Sequence, residues 1–352
     1  MIDVLIVDDS LTTREFIKHI FSTDPEMRVI GEAKNGSEAL RFVQSHRPDV
    51  VIMDIQMPGM NGYETTQAIM EICPVPIVIH STLAAPGQTE VVFQAMKAGA
   101  VAVSLKPSGP GHPESRLLIE KLIRTVKLMS EIKVVRKLGH RRKHSEIADI
   151  SGRLAGRARQ GIEIVGIGAS TGGPPVLQTL ISSLSPGFSI PIIVVQHIAA
   201  GFLSGMLTWL SHHSQMMLSI PQTGDVINEG HIYFAPEDHH MEITPARRFL
   251  IRPIADNNAL KRPITHLFSS MAQVFGKTAA GVLLTGMGND GAVGLKEMKQ
   301  QGAVTLVQNR ESSVVFGMPH EAIKLDAASY VLSPTEIASY LNLLGPQNPA
   351  AT

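Results

Sequence analysis

The sequence predicts an α/β protein made of two parallel-sheet domains in tandem, and three observations carry that reading. At 352 residues the chain is too long for one ordinary core, given roughly 100–200 residues per domain. Apolar strand-like runs alternate with amphipathic helical stretches over residues 1–125 and again over 161–345, and such alternation specifies parallel sheets covered on both faces. Between them, at 126–160, lies a basic linker. From about 133 its helical pattern gives way to Lys133, Arg136, Lys137, Arg141, Arg142, Lys143, Arg153, Arg157 and Arg159, which read as a solvated connector rather than a nucleic-acid patch.

Composition narrows the function classes. An apolar content of 44% with 18% charged residues is that of a folded chain, and a formal net charge of zero offers no general attraction to nucleic acid or acidic lipid. The single cysteine, Cys73, excludes an intramolecular disulfide and fits a reducing compartment. Met1 leads straight into strand-like residues, and no apolar stretch approaches the roughly 18–20 residues of a membrane span, so a cytoplasmic protein that is not membrane-inserted is expected.

In the first domain the strands read as 3–7, 27–31, 49–53, 75–80 and 101–105, with a last helix over about 114–132. Asp8 and Asp9 follow the first strand, Asp54 the third, Ser81 the fourth and Lys106 the fifth. Ligand sites of open α/β sheets lie outside the carboxyl ends of strands, so these five residues are expected in one pocket. Three packed acids repel unless a cation neutralises them, and hard oxygen ligands suit Mg²⁺. Asp54 is then the best-placed nucleophile for a phosphoryl group, with Lys106 and Ser81 positioned to pair with it. Taken singly, such acids are ordinary caps or turn residues. Their joint pattern, with Met57-Pro58-Gly59-Met60-Asn61-Gly62 after Asp54, resembles the response-regulator receiver family over residues 1–125. The resemblance implies a flavodoxin-like fold with Asp54 as phosphoacceptor and a histidine kinase as donor. It also implies that Asp8, Asp9, Asp54 and the Gln56 carbonyl surround Mg²⁺. His80 and the segment Ala84-Ala85-Pro86-Gly87 depart from the ordinary pattern and bear on the signalling face.

In the second domain three strands each end on a candidate catalytic group. The run from Ile162 breaks into Gly168-Ala169-Ser170-Thr171-Gly172-Gly173, the run Ile192 to Val195 into Gln196-His197, and Val282-Leu283-Leu284 into a loop carrying Asp290. A serine hydroxyl needs a positioned base that a third group orients, and Ser170, His197 and Asp290 are the residues to supply the three roles. A helix starting at Gly173-Pro174-Pro175 is expected to aim free backbone N–H groups near the nucleophile as oxyanion donors. The rival, a dinucleotide loop at Gly166-x-Gly168-x-x-x-Gly172, lacks an acidic residue at the end of the next strand. His212-His213 and His239-His240 hint at metal, but adjacent strand histidines point to opposite faces and no further ligand is spaced to complete a zinc site. Residues 230–244 carry a hairpin signal, with His231 to Ala235 and His240 to Thr244 flanking Pro236-Glu237-Asp238. Residues 346–352 read as a tail.

These loops, with Ser313-Val314-Val315-Phe316-Gly317-Met318-Pro319, look like the chemotaxis protein-glutamate methylesterase family from about 162 to 345. The resemblance implies Ser170 as nucleophile, His197 as general base and acid, Asp290 as its orienting group, and Thr171 and Met287 as supporting residues. It implies no cofactor for the esterase. The implied activity is demethylation of glutamate methyl esters, and deamidation of glutamines, on the cytoplasmic helices of chemoreceptors in sensory adaptation. The unphosphorylated receiver is expected to occlude the site and phosphorylation to open it. A non-chemotactic receptor array served by the same chemistry, and a non-catalytic phosphorylation-dependent scaffold, are the alternatives. The family carries Arg-Pro-Ser-Val-Asp where this chain has Arg262-Pro263-Ile264-Thr265-His266, a change expected to bear on substrate identity more than on catalysis.

Overall fold

The computed structural model describes residues 1–82, 88–107, 115–132, 134, 161–254 and 262–344. The Ala84–Gly87 segment, the basic linker at 133 and from 135 to 160, and the tail therefore lie outside the described residues. The chain divides into two compact units, Met1–His140 and Arg141–Thr352.

The first unit alternates strictly: β1 Ile2–Val7, α1 Leu11–Ser22, β2 Met27–Ala33, α2 Gly36–Ser45, β3 Val50–Met53, α3 Gly62–Ile72, β4 Ile77–Ser81, α4 Gln88–Ala98, β5 Ala102–Leu105 and α5 Ser115–Ser130. Its strands pair in parallel in the order β2-β1-β3-β4-β5, the flavodoxin-like arrangement. Val50 to Met53 are all buried, as a strand covered on both faces requires. Local chemistry starts the helices. Asn61 caps α3 by accepting from the Glu64 N–H while the Glu64 carboxylate reaches back to the Asn61 N–H, a capping box. Helix α5 runs past the boundary at 125 to Ser130, because Val126 and Met129 are buried with Leu122 in the core under β1 and β3.

The second unit contains β6 Ile164–Ala169, α6 Gly173–Ser182, β7 Ile192–Gln196, α7 Leu203–Ser211, β8 Met217–Ser219 and β9 His231–Phe234. It continues through β10 His239–Ile243, β11 Phe249–Pro253, α8 Pro263–Phe275, β12 Ala279–Leu283, α9 Ala292–Gln300, β13 Val304–Gln308, α10 Met318–Lys324, β14 Tyr330–Leu332 and α11 Pro334–Leu344. Seven strands form one sheet, β14-β13-β12-β6-β7-β9-β8, parallel at every pairing. The chain leaves β6 toward β7 on one side and returns as β12 on the other, so the strand order reverses between β6 and β12. A crevice opens at the carboxyl ends of strands at such a point. Helix α8 covers this part of the sheet with Ile264, Leu267, Phe268 and Met271, at the i, i+3, i+4, i+7 spacing of one helix face and all fully buried. Each such side chain contributes roughly 1.5–3 kcal/mol by leaving water.

The hairpin lies elsewhere than the sequence suggested. β9 does not turn back on β10; it lies between β7 and β8, parallel to both, so neither edge is free for an antiparallel partner. Ile232, Tyr233 and Phe234 are consecutively buried, the mark of an interior parallel strand. The hairpin is instead β10 with β11, closed over Thr244–Arg248, where the Thr244 N–H donates to the Arg248 carbonyl and Arg247 adopts φ 57°.

Candidate functional site

In the first unit the strand ends gather the expected charges. Candidate ligand atoms of Asp8, Asp9 and Asp54 lie within 4.8 Å of one another. Asp54 is fixed by its own N–H donating to the Val7 carbonyl at 2.8 Å, and one of its carboxylate oxygens accepts from the Ile55 N–H at 2.8 Å. Lys106 Nζ stands 2.7 Å from Asp8 Oδ2 and 2.9 Å from Asp54 Oδ1. Burial pushes the Asp54 carboxyl above the ordinary carboxylate range against the pull of Lys106, and the charge of Asp8 adds to the rise. Burial works against the Lys106 ammonium as well, but its two carboxylate partners outweigh it and hold the lysine above its usual value. An all-oxygen donor set of three acids suits a hard divalent cation. Ser81 ends β4, and its carbonyl accepts from the Lys106 N–H at 2.9 Å, but its hydroxyl donates to the Thr82 carbonyl rather than toward Asp54. Gln56 sits exposed two residues beyond Asp54. His80 is buried with no hydrogen-bond partner at either ring nitrogen among the described residues, and burial, then the charge of Lys106, lowers it to about 3, so the ring is neutral.

In the second unit the register of the sheet aligns the catalytic candidates. Ala169 pairs with Gln196 and Gly168 with Leu283, so the residues that follow emerge side by side at one sheet edge. The His197 N–H donates to the Ala169 carbonyl at 2.9 Å, and the Ser170 N–H to the Thr285 carbonyl at 3.0 Å, which ties all three loops together. His197 Nε2 lies 2.9 Å from Asp290 Oδ2. Nδ1 is thus the nitrogen left for a second partner. Ser170 is 9% exposed and Asp290 6%, while the His197 side chain retains 31%.

Asp290 is unusually well solvated by protein. Oδ2 accepts from His197 and from the Ile264 N–H at 3.0 Å; Oδ1 accepts from the N–H of Thr265 at 2.9 Å, the Thr265 hydroxyl at 2.8 Å and the Gly291 N–H at 2.8 Å. Burial alone would raise this carboxyl, but the hydrogen bond and charge of His197, followed by Thr265, outweigh it and hold Asp290 below the ordinary carboxylate range. The Ile264-Thr265-His266 segment, expected to bear on substrate identity more than on catalysis, therefore contacts Asp290 directly.

The nucleophile loop rests on residues that the sequence motifs contained without announcing their work. Gln196 Nε2 donates to the carbonyls of Ser170 at 2.9 Å and His197 at 2.8 Å, and a Cβ at position 173 would fall 2.1 Å from Gln196 Oε1, which explains the glycine there. Thr285, fully buried, donates from its hydroxyl to the Thr171 carbonyl at 3.0 Å, and the same hydroxyl accepts from the Val315 N–H at 3.0 Å. Gly172 adopts φ 76°, and a Cβ there would meet Val314 at 2.5 Å. Met287, 37% exposed, follows Gly286, whose backbone packs against Ser170.

One expectation fails. The first turn of α6 offers no free oxyanion donors, because the Gly173 N–H donates to the Ser170 carbonyl at 2.8 Å and Pro174 and Pro175 have no N–H. The histidine pair of β10 also diverges: His239 Nδ1 contacts the Glu237 carbonyl at 2.6 Å, while His240 packs on His266 with ring centroids 4.0 Å apart.

Comparison with known proteins identifies the family of each unit. The family model described as CheB methylesterase matches residues 165–341, and that of the response regulator receiver domain matches residues 4–117. The chain belongs to the CheB methylesterase family. It is 44% identical to a protein-glutamate methylesterase/protein-glutamine glutaminase of Syntrophus aciditrophicus over 97% of both chains. It is 43% identical to a protein of the same description from Nitrosospira multiformis, over 98% of this chain and 97% of the relative. The CheB methylesterase catalytic domain of Thermotoga maritima is 32% identical over 52% of this chain and 98% of that domain, with a TM-score of 0.49. As a CheB family member with a receiver domain, the chain joins a response-regulator unit to a methylesterase unit. No helix among its described residues is long and apolar enough to cross a membrane.

Proposed function

We propose that this chain is a phosphorylation-regulated protein-glutamate methylesterase and protein-glutamine glutaminase acting in the cytoplasm on the helices of methyl-accepting chemotaxis receptors. The observation that carries the reading is the 2.9 Å pairing of His197 with a buried Asp290, in loops that also anchor Ser170. The Ser170 hydroxyl attacks the ester carbonyl as His197 takes its proton at Nδ1, the nitrogen that Asp290 leaves available. Asp290 holds the ring in that tautomer and balances the imidazolium charge. The developing oxyanion is met by backbone N–H groups of the loops around Ser170, with Thr171 and Met287 as supporting residues. Collapse returns the proton to the leaving methoxide, methanol departs, and a glutamyl-serine ester remains. Water, deprotonated by His197, attacks that ester and releases Ser170 and a glutamate carboxylate. With a glutamine side chain the same steps release ammonia.

The receiver is phosphorylated at Asp54 by a histidine kinase. Asp8, Asp9, Asp54 and the Gln56 carbonyl would hold Mg²⁺, which when bound would supply positive charge against the acids and the phosphoryl group. Lys106 exchanges a carboxylate partner for the phosphoryl oxygens, and Ser81 turns its hydroxyl from the Thr82 carbonyl toward them. Phosphorylation shifts the population toward the active enzyme.

Methanol release from methylated receptor membranes tests both halves. Ser170→Ala is expected to abolish release, and a phosphoryl donor is expected to accelerate wild type but not Asp54→Asn. Equal release by wild type and Ser170→Ala would remove the nucleophile, and a wild-type rate indifferent to the donor would remove the switch.

A further inference from the structure

We infer that Thr265 is a positioning residue of the catalytic triad, its hydroxyl fixing the Asp290 carboxylate that orients His197. The argument starts from the helix that carries it. α8 has Arg262 at its N-cap and no side-chain cap of its own, so the N–H groups of its first turn need acceptors from elsewhere. Asp290 provides them, taking Ile264 N–H on Oδ2 and Thr265 N–H on Oδ1. A carboxylate is well suited to this end of a helix.

The Thr265 hydroxyl adds what the backbone cannot. It donates to Asp290 Oδ1 at 2.8 Å while accepting from the Gly291 N–H at 2.9 Å, so its proton has one direction to point. Three donors on Oδ1 leave the carboxylate little freedom to rotate, and Oδ2 stays directed at His197 Nε2. The side chain reaches no reacting atom and acts only through Asp290.

The inference rests on the triad reading but not on the receptor substrate, and the experiment separates them. The full chain is treated with diisopropyl fluorophosphate, whose reaction with an activated serine needs no receptor, and kcat and KM for methanol release are measured in parallel. Loss of one charge-assisted hydrogen bond is expected to slow inactivation of Thr265→Val, and lower its kcat, by about tenfold with KM unchanged. The low-field proton resonance of the His197–Asp290 hydrogen bond is expected to shift in that variant. Thr265→Ser, which keeps the hydroxyl, should restore rate and resonance, and Thr265→Ala should behave as Thr265→Val does, covering the case that valine disturbs the packing. Wild-type inactivation with an unmoved resonance in both Thr265→Val and Thr265→Ala would overturn the inference, as would a Thr265→Ser enzyme as slow as Thr265→Val. A chain that reacts with the reagent yet releases no methanol would contradict the proposed substrate instead.

Discussion

Asp54 and Asp290 are both buried carboxylates at the carboxyl ends of parallel strands, each facing a nitrogen that can carry charge, yet their surroundings drive them in opposite directions. Burial raises Asp54; Asp290, equally buried, is held low. The difference is the count and sharing of donors. Asp290 accepts five hydrogen bonds, from His197, Ile264, Gly291 and twice from Thr265, and no other acid among the described residues shares them. Asp54 accepts from the backbone of Ile55 and Gln56 but shares Lys106 with Asp8 and feels the repulsion of that neighbour. Five donors hold Asp290 ionised, whereas Asp54 has fewer donors and an acid beside it, the difference expected if Asp290 orients a base through every turnover and Asp54 takes a phosphoryl group with a cation.

The largest effect should come from the well-solvated acid. Asp290→Asn keeps the shape but turns two of the amide's N–H bonds against donors already in place and releases the His197 tautomer, so kcat should fall by about 10⁴-fold. Steady-state methanol release measures it, and a loss below tenfold would make Asp290 a mere helix cap. Acid sensitivity should follow the same logic. Because the folded value of Asp290 lies below the usual one, its contribution to stability is complete above the unfolded carboxylate pKa and disappears as pH falls through the folded value. Denaturant titrations of wild type and Asp290→Asn should therefore differ in slope only on the acid side of about pH 4.

The switch site should break the comparison from the other side. Asp8→Asn removes the charge that destabilises ionised Asp54 and one acid of the oxygen cluster. Phosphorylation by a small-molecule donor should then be weaker and less dependent on added Mg²⁺ than in wild type; unchanged dependence would place the cation elsewhere.

A smaller effect belongs to His80. Its folded value of about 3 against an ordinary 6.5 means that the unfolded chain binds a proton the native ring refuses. Stability of the first unit should decline as pH falls from 6.5 toward 3, and His80→Leu, which removes the titration, should flatten that decline. Chemical denaturation of the full chain, followed by a probe in the first unit, reads the slope, and an equal slope in both proteins would show that His80 is not the group responsible.

How much of this was legible in the sequence depended on whether the information was local. The strands and their chemistry-bearing ends could be read because each strand is a short apolar run broken by its own loop, and a parallel sheet brings such ends together without further instruction. The hairpin was misplaced because Pro236-Glu237-Asp238 has turn composition, while the deciding fact is that β8 already occupies the far edge of β9. The missing oxyanion donors were in plain view at Pro174 and Pro175, whose value as helix starters hid their lack of an N–H. Thr265 could not be read at all. Its partner lies 25 residues away on another loop, and nothing in Ile264-Thr265-His266 says which way a hydroxyl will point. Gln196 and Thr285 were inside the motifs, but their role in bracing the nucleophile loop is a matter of long-range contact.

The most direct test of the account is to locate the adduct that diisopropyl fluorophosphate leaves on the full chain, by mass spectrometry of its peptides, in wild type and in His197→Ala. The account predicts a single modified peptide containing Ser170, with labelling nearly lost when His197 is removed. An adduct on another serine, or equal labelling of Ser170 without the imidazole, would contradict it.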